Sequence, residues 1–183
     1  MPTVLVVSSH YWLLAIIIDN VMREKSKEIF REITEGLISI NPIVAEMIQG
    51  CNEAEILSIE AAYNLTLPID YREFLGAFGK CNRTIFHGFD IAYPAPLKLT
   101  KSIIFENIAF ADEDYIPPHE IPYDIFLIGS CWNEDFWFIL TKEKSEESTI
   151  YFTKVYQQND NFEYTKCCNS IWEFMQNFAT NLR

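Results

Sequence analysis

The residues able to do chemistry are scattered along this chain. His10, His87 and His119 stand far apart, and none has a second His or Cys at metal-ligand spacing, so no zinc site is expected. Five cysteines, Cys51, Cys81, Cys131, Cys167 and Cys168, show no C-x-x-C spacing, and only the last two adjoin. An odd, scattered set reads as reduced thiols of a cytoplasmic protein. Cys81 and His87 invite a thiol–imidazole pairing, but a buried structural cysteine is the plainer account. The chain has six glycines and lacks G-x-S-x-G, G-x-G-x-x-G and the phosphate-loop pattern. Asp112-Glu113-Asp114 lacks the glycine and downstream spacing of a calcium loop. Paired carboxylates do acid–base work only when one is desolvated, whereas acidic loops beside proline are ordinarily solvated turns. No catalytic residue, metal or cofactor is therefore expected.

One segment stands out as a binding surface. Between Ser102 and Thr141 no Lys or Arg occurs, against eight acids: Glu106, Asp112, Glu113, Asp114, Glu120, Asp124, Glu134 and Asp135. Trp132 and Trp137 bracket the last two. Large aromatics anchor partners and a charged field steers them. Two readings stay open: a docking surface, or a core-facing Trp137 beside acids that only solubilise loops. The partner-binding candidates are Asp112, Glu113, Asp114, Glu120, Asp124, Trp132, Glu134 and Asp135. The whole chain carries a net charge of −12, from 26 acidic and 14 basic side chains. Such a balance repels nucleic acid and favours either simple solubility or a basic protein partner.

The elements that must position these residues are legible in outline. A chain of 183 residues with 15% aromatics fits one domain with a substantial core. Val4 to Ile18 is apolar apart from Ser8, Ser9 and His10, but shorter than the roughly 20 residues that span a bilayer. Residues 1–21 read as an extension with three open accounts: a buried docking segment, a membrane-touching anchor, or translated sequence upstream of the true start. No membrane partner is otherwise expected. Asn20 can cap a helix that begins near Met22 and carries Ile29, Ile33 and Leu37 inward. Asn41-Pro42 begins a short helix that Gly50 ends. Asn52 with Glu55 forms a capping box for a helix ending near Asn64. Pro68 starts another, with Asp70 at its positive end and Tyr71, Phe74, Leu75 and Phe78 inward, until Gly79 stops it. Strands are expected at 85–89, 103–110, 125–129, 136–140 and 149–155, the last three as an antiparallel meander. Ser170 with Glu173 caps a closing helix whose stripe is Ile171, Met175, Phe178 and Leu182. The expected class is α+β, with N-terminal helices, a mainly antiparallel sheet of about five to six strands, and a C-terminal helix packed on the sheet.

Several of these residues together resemble a family. Ile56-(x2)-Ile59-Glu60, then Leu65-(x)-Leu67-Pro68-(x)-Asp70-Tyr71-(x2)-Phe74-Leu75 with Gly79 beyond, is similar to the opening signature of the SUKH superfamily. The nearest branch is the Smi/Knr cell-wall-regulator type. Ile128-Gly129 through Asp135-Phe136-Trp137-Phe138-Ile139 resembles its central hairpin, and Ser170 to Met175, including Trp172, its terminal helix. The resemblance covers residues 52–182 within a single domain of 22–183. Two turns depart from the pattern: Gly79-Lys80-Cys81-Asn82 replaces an Asn-Gly-Gly-like turn, and Cys131 to Asp135 replaces a glycine-rich hairpin turn. The resemblance implies that Ile59, Glu60, Leu67, Pro68, Asp70, Tyr71, Phe74, Leu75, Gly79, Gly129, Trp137 and Trp172 are structural. It also implies a non-enzymatic role: neutralising a cognate toxin, often a nuclease, as bacterial immunity proteins do. The alternative is a regulatory or scaffold module that binds another cellular protein.

Overall fold

The computed structural model describes residues 9–81, 89–91, 93, 121–132, 134–142, 147–154 and 162–180. Its elements are α1 (Ser9–Ile40), a short 3-10 helix (Pro42–Glu46), α2 (Glu53–Tyr63), α3 (Ile69–Phe78), β1 (Phe89–Asp90), β2 (Ile125–Cys131), β3 (Asp135–Leu140), β4 (Ile150–Lys154), β5 (Thr165–Cys168) and α4 (Ile171–Thr180). They form the expected α+β arrangement, with three α-helices before the sheet and one after it.

The caps behave as their chemistry dictates. The Asn52 side chain accepts from Glu55 N at 3.0 Å while the Glu55 carboxylate accepts from Asn52 N at 2.8 Å, completing the capping box of α2. Asn64 ends that helix in the left-handed conformation, φ 50°. Asn41 caps the 3-10 turn through Ile43 N. Gly79 ends α3 with φ −60°, so this glycine is not needed for a left-handed turn. It is needed for space, because a Cβ there would lie 2.4 Å from Leu75 O and 2.5 Å from Cys51 Sγ.

Helix α1 departs from expectation. It is already helical at Ser9, and Asn20 lies in its interior instead of capping it. Leu13, Leu14 and Ala15 are strong helix formers and no Pro or Gly interrupts them, so nothing forces a start at Asn20. The inward stripe is Met22, Ser26, Phe30, Ile33 and Leu37, shifted one position from Ile29, which is only partly buried. Phe30 meets Phe74 and Phe78 of α3 edge-on or tilted, with ring centroids 6.1 and 6.0 Å apart. Ile16, Ile17, Ile18 and Val21, one turn earlier, are exposed.

The sheet is antiparallel throughout, in the order β1-β2-β3-β4-β5. Among the described residues four full strands, β2 to β5, carry the sheet in place of the expected five to six, and β1 (Phe89–Asp90) adds only a two-residue pairing beside Cys131 and Ser130. Residues 103–110 lie outside the described residues. The β2-β3-β4 meander is as expected. Alternation sorts its side chains: Phe126, Ile128, Trp137 and Ile139 join the core beneath the helices, while Ile125, Leu127, Phe136 and Phe138 pack on the other face with Ile121, Tyr151 and Phe162. Ile128 is an extra residue in β2, because Leu127 pairs with Phe138 and Gly129 with Trp137. Helix α4 closes the core with Ile171, Trp172, Phe174 and Met175. The Phe174 ring lies 6.2 Å from that of Trp137. Phe178 and Leu182, the rest of its expected stripe, lie outside the described side chains.

Candidate functional site: a tryptophan-bearing hairpin tip

The signature residues build a scaffold. Glu60, on the last turn of α2, accepts from Leu67 N at 2.9 Å and pairs with Arg72 at 2.5 Å, so one carboxylate ties α2 to the loop and to α3. Arg72 also reaches Glu53 at the start of α2. Asp70 is wholly buried, and its carboxylate accepts from Tyr71 N at 2.8 Å, Ser148 N at 2.7 Å and Ser148 Oγ at 2.5 Å. It thus joins the start of α3 to the turn that enters β4. Ile59, Leu67, Tyr71, Phe74 and Leu75 lie in the core around it, and Pro68 sets the entry to α3.

The hairpin tip is built differently. β2 ends at Cys131 and β3 begins at Asp135, paired across the ladder. The turn between them is closed by Glu134 N donating to Cys131 O at 3.1 Å. Trp132 sits there with φ 50° and 81% of its surface exposed. A bulky side chain pays about 1–2 kcal/mol for that left-handed backbone, and an exposed indole returns little of it by burial. Trp137, five residues on, is 8% exposed against Phe152 and Phe174, so the two tryptophans part company. Glu134 is exposed beside Trp132. Asp135 stands one step back with Lys154 Nζ at 3.8 Å, in register across β3 and β4.

A match to a known family accompanies this geometry. The sequence model of the SMI1 / KNR4 family (SUKH-1) matches residues 50–177, more than two thirds of the chain. The chain belongs to that family. Among curated protein sequences none matches it. The SUKH-1 region takes in α2 through most of α4, including the capping box, Glu60, Asp70 and the Trp132 tip, and it begins after α1.

Within this SUKH-1 domain the expected partner-binding residues divide. Trp132, Glu134 and Asp135 share the β2-β3 tip. Asp124 does not join them: it precedes β2, and its carbonyl accepts from Thr141 N at 2.9 Å at the opposite end of the hairpin, about 20 Å away along the strand. Asp112, Glu113, Asp114 and Glu120 lie outside the described residues. Lys154 was not anticipated, since only the β3–β4 register brings it beside Asp135. Cys51 and Cys81 are poor nucleophiles: burial pushes both thiols up to about 11. His87, the imagined partner of Cys81, lies outside the described residues. Among those residues no group of three or more His, Cys, Asp or Glu could hold a metal ion, and no helix is long and apolar enough to cross a membrane.

Proposed function

We propose that this SUKH-1 chain is a non-enzymatic, cytoplasmic immunity-type protein that neutralises a basic protein toxin, docking it on the β2-β3 tip around Trp132. One observation carries the reading: a tryptophan, 81% exposed, occupies a left-handed turn position that glycine would fill without strain. Glycine-rich sequence at this turn is the pattern the family resemblance led one to expect. A side chain held there at a cost to stability is held for what it touches. Tryptophan supplies the largest contact area of any side chain at small entropic cost, and interface hot spots are enriched in it. The net charge of −12 supports a basic partner, because opposite fields speed encounter. A nuclease toxin that grips phosphates would present such a surface.

Co-expression tests this directly. The chain should rescue growth from the toxic product of the neighbouring reading frame. Trp132→Ala and the double reversal Glu134→Lys/Asp135→Lys should each weaken binding by 10-fold or more, about 1.4 kcal/mol or above, without unfolding the domain. Full affinity in both variants would move the interface off the tip. Absence of any basic partner would sink the immunity reading altogether.

A further inference from the structure

The pairing of β4 with β5 contains a second irregularity, and it falls on the adjacent cysteines. Ile150 pairs with Cys168 and Tyr151 with Lys166, so Cys167 is an extra residue bulged out of β5. In a regular strand, neighbouring side chains point to opposite faces and their sulfurs stand apart. The bulge overrides that alternation: Cys167 Sγ and Cys168 Sγ are 3.6 Å apart. Their surroundings differ. Cys167 is exposed, whereas Cys168 is 3% exposed, packed in the core beside α4, with Asn177 Nδ2 donating to its sulfur at 3.7 Å.

We propose that Cys167 and Cys168 form a dithiol modification site that a low-molecular-weight disulfide converts to an internal disulfide, with Cys167 attacking and Cys168 resolving. The Cys167 thiolate attacks one sulfur of the incoming disulfide, forming a mixed disulfide and expelling one thiolate. Cys168 then gives up its proton and attacks the Cys167 sulfur, expelling the second thiolate. Two protein thiols are oxidised by two electrons and the small disulfide is reduced to two thiols. The order follows from access, since only Cys167 meets solvent. Burial pushes the Cys168 thiol up to about 12, which keeps it protonated until the mixed disulfide is beside it. Closure draws Cys168 away from Asn177 and from its packing under α4, so the oxidised domain should be the less stable form.

The test uses the full chain and oxidised glutathione. After incubation the protein is denatured, free thiols are alkylated, and tryptic peptides are weighed. Trypsin cuts after Lys166, which leaves both cysteines on one peptide. The expected result is joint loss of both alkylatable thiols with no retained glutathione, reversed by dithiothreitol. Cys168→Ala should instead hold glutathione on Cys167 at 10-fold or greater excess over the parent protein. Retention of glutathione on Cys167 in the parent, with Cys168 still alkylatable, would overturn the proposal. So would oxidation of Cys51, Cys81 or Cys131 ahead of this pair. The parent measurement stands alone if the variant fails to fold.

Discussion

Removing the Asp70 carboxylate tests the scaffold where it is most concentrated. In Asp70→Ala, Tyr71 N–H and Ser148 N–H lose their acceptor inside a wholly buried cluster, and the Ser148 hydroxyl loses a third bond. Each stranded donor costs about 1–3 kcal/mol, while relief from burying a charge opposes the loss. A net destabilisation of about 3 kcal/mol is expected, lowering Tm by about 9 °C at this chain length. Asp70→Asn keeps the shape but presents one NH2 where an oxygen stood, so it should cost about 1–2 kcal/mol at neutral pH. The pH dependence separates the opposing effects. Burial raises the Asp70 carboxyl above its ordinary value, outweighing the hydrogen bonds from Ser148 and Tyr71, and nearby Glu147 pushes the same way. A carboxyl with a raised folded pKa holds its proton more tightly when folded. Its contribution is therefore fullest below the ordinary Asp value and is lost as pH rises through the raised one. The parent's advantage over Asp70→Asn should accordingly widen as urea melts are moved from pH 7 to about pH 4. If that advantage narrows on acidification, the hydrogen bonds outweigh burial and the sign is wrong. An unchanged urea midpoint for Asp70→Ala would refute the role itself.

Three further substitutions probe other parts. Among the described residues the buried Tyr71 hydroxyl has no hydrogen-bond partner, so Tyr71→Phe should be neutral or stabilise by up to about 1 kcal/mol in a denaturant titration; a loss above 1 kcal/mol would show that the hydroxyl is satisfied. Gly50 approaches α3 so closely that a Cβ would fall 1.6 Å from Gly76 O, with Cys51 N–Leu75 O and Lys80 N–Gln49 O bonds on either side at 2.8 Å. Gly50→Ala should cost about 2–3 kcal/mol, and an unshifted melt would mean that this junction yields freely. Trp132→Gly should raise stability by about 0.5–1 kcal/mol while partner binding falls; lower stability would show that the indole packs within its own fold.

Local chemistry made much of this fold legible, and long-range pairing hid the rest. The caps at Asn41, Asn52 and Asn64 are short-range devices, and each works as its residue type predicts. Ser170 does so in part: Glu173 N donates to its hydroxyl at 3.2 Å, but the Glu173 carboxylate turns to Asn169. β5 escaped notice because Thr165, Lys166 and Cys167 are exposed and show no apolar alternation; β4 recruits them through backbone pairing alone. Asp70 was legible as a helix-start carboxylate, yet its main partner, Ser148, lies 78 residues away. The sequence assigns Trp132 to partner binding and Trp137 to the structural set. Alternation along β3 assigns Trp137 inward, but only the backbone angle at Trp132 exposes the strain that sets it apart.

The scaffold and the tip therefore obey opposite rules. Around Glu60 and Asp70, polar groups are spent on internal bonds and the surrounding side chains are buried to near zero exposure. Substitution there should act on stability, and on binding only through unfolding. At the β2-β3 tip the backbone is strained, the aromatic is wet, and the turn rests on one described backbone bond. A turn of this kind can change at Trp132 and Glu134 while Gly129, Trp137 and the ladder behind it stay fixed, because those two side chains are exposed. That separation predicts near-additive effects on stability when Asp70 and Trp132 variants are combined. Coupling above about 0.5 kcal/mol between the two would contradict it.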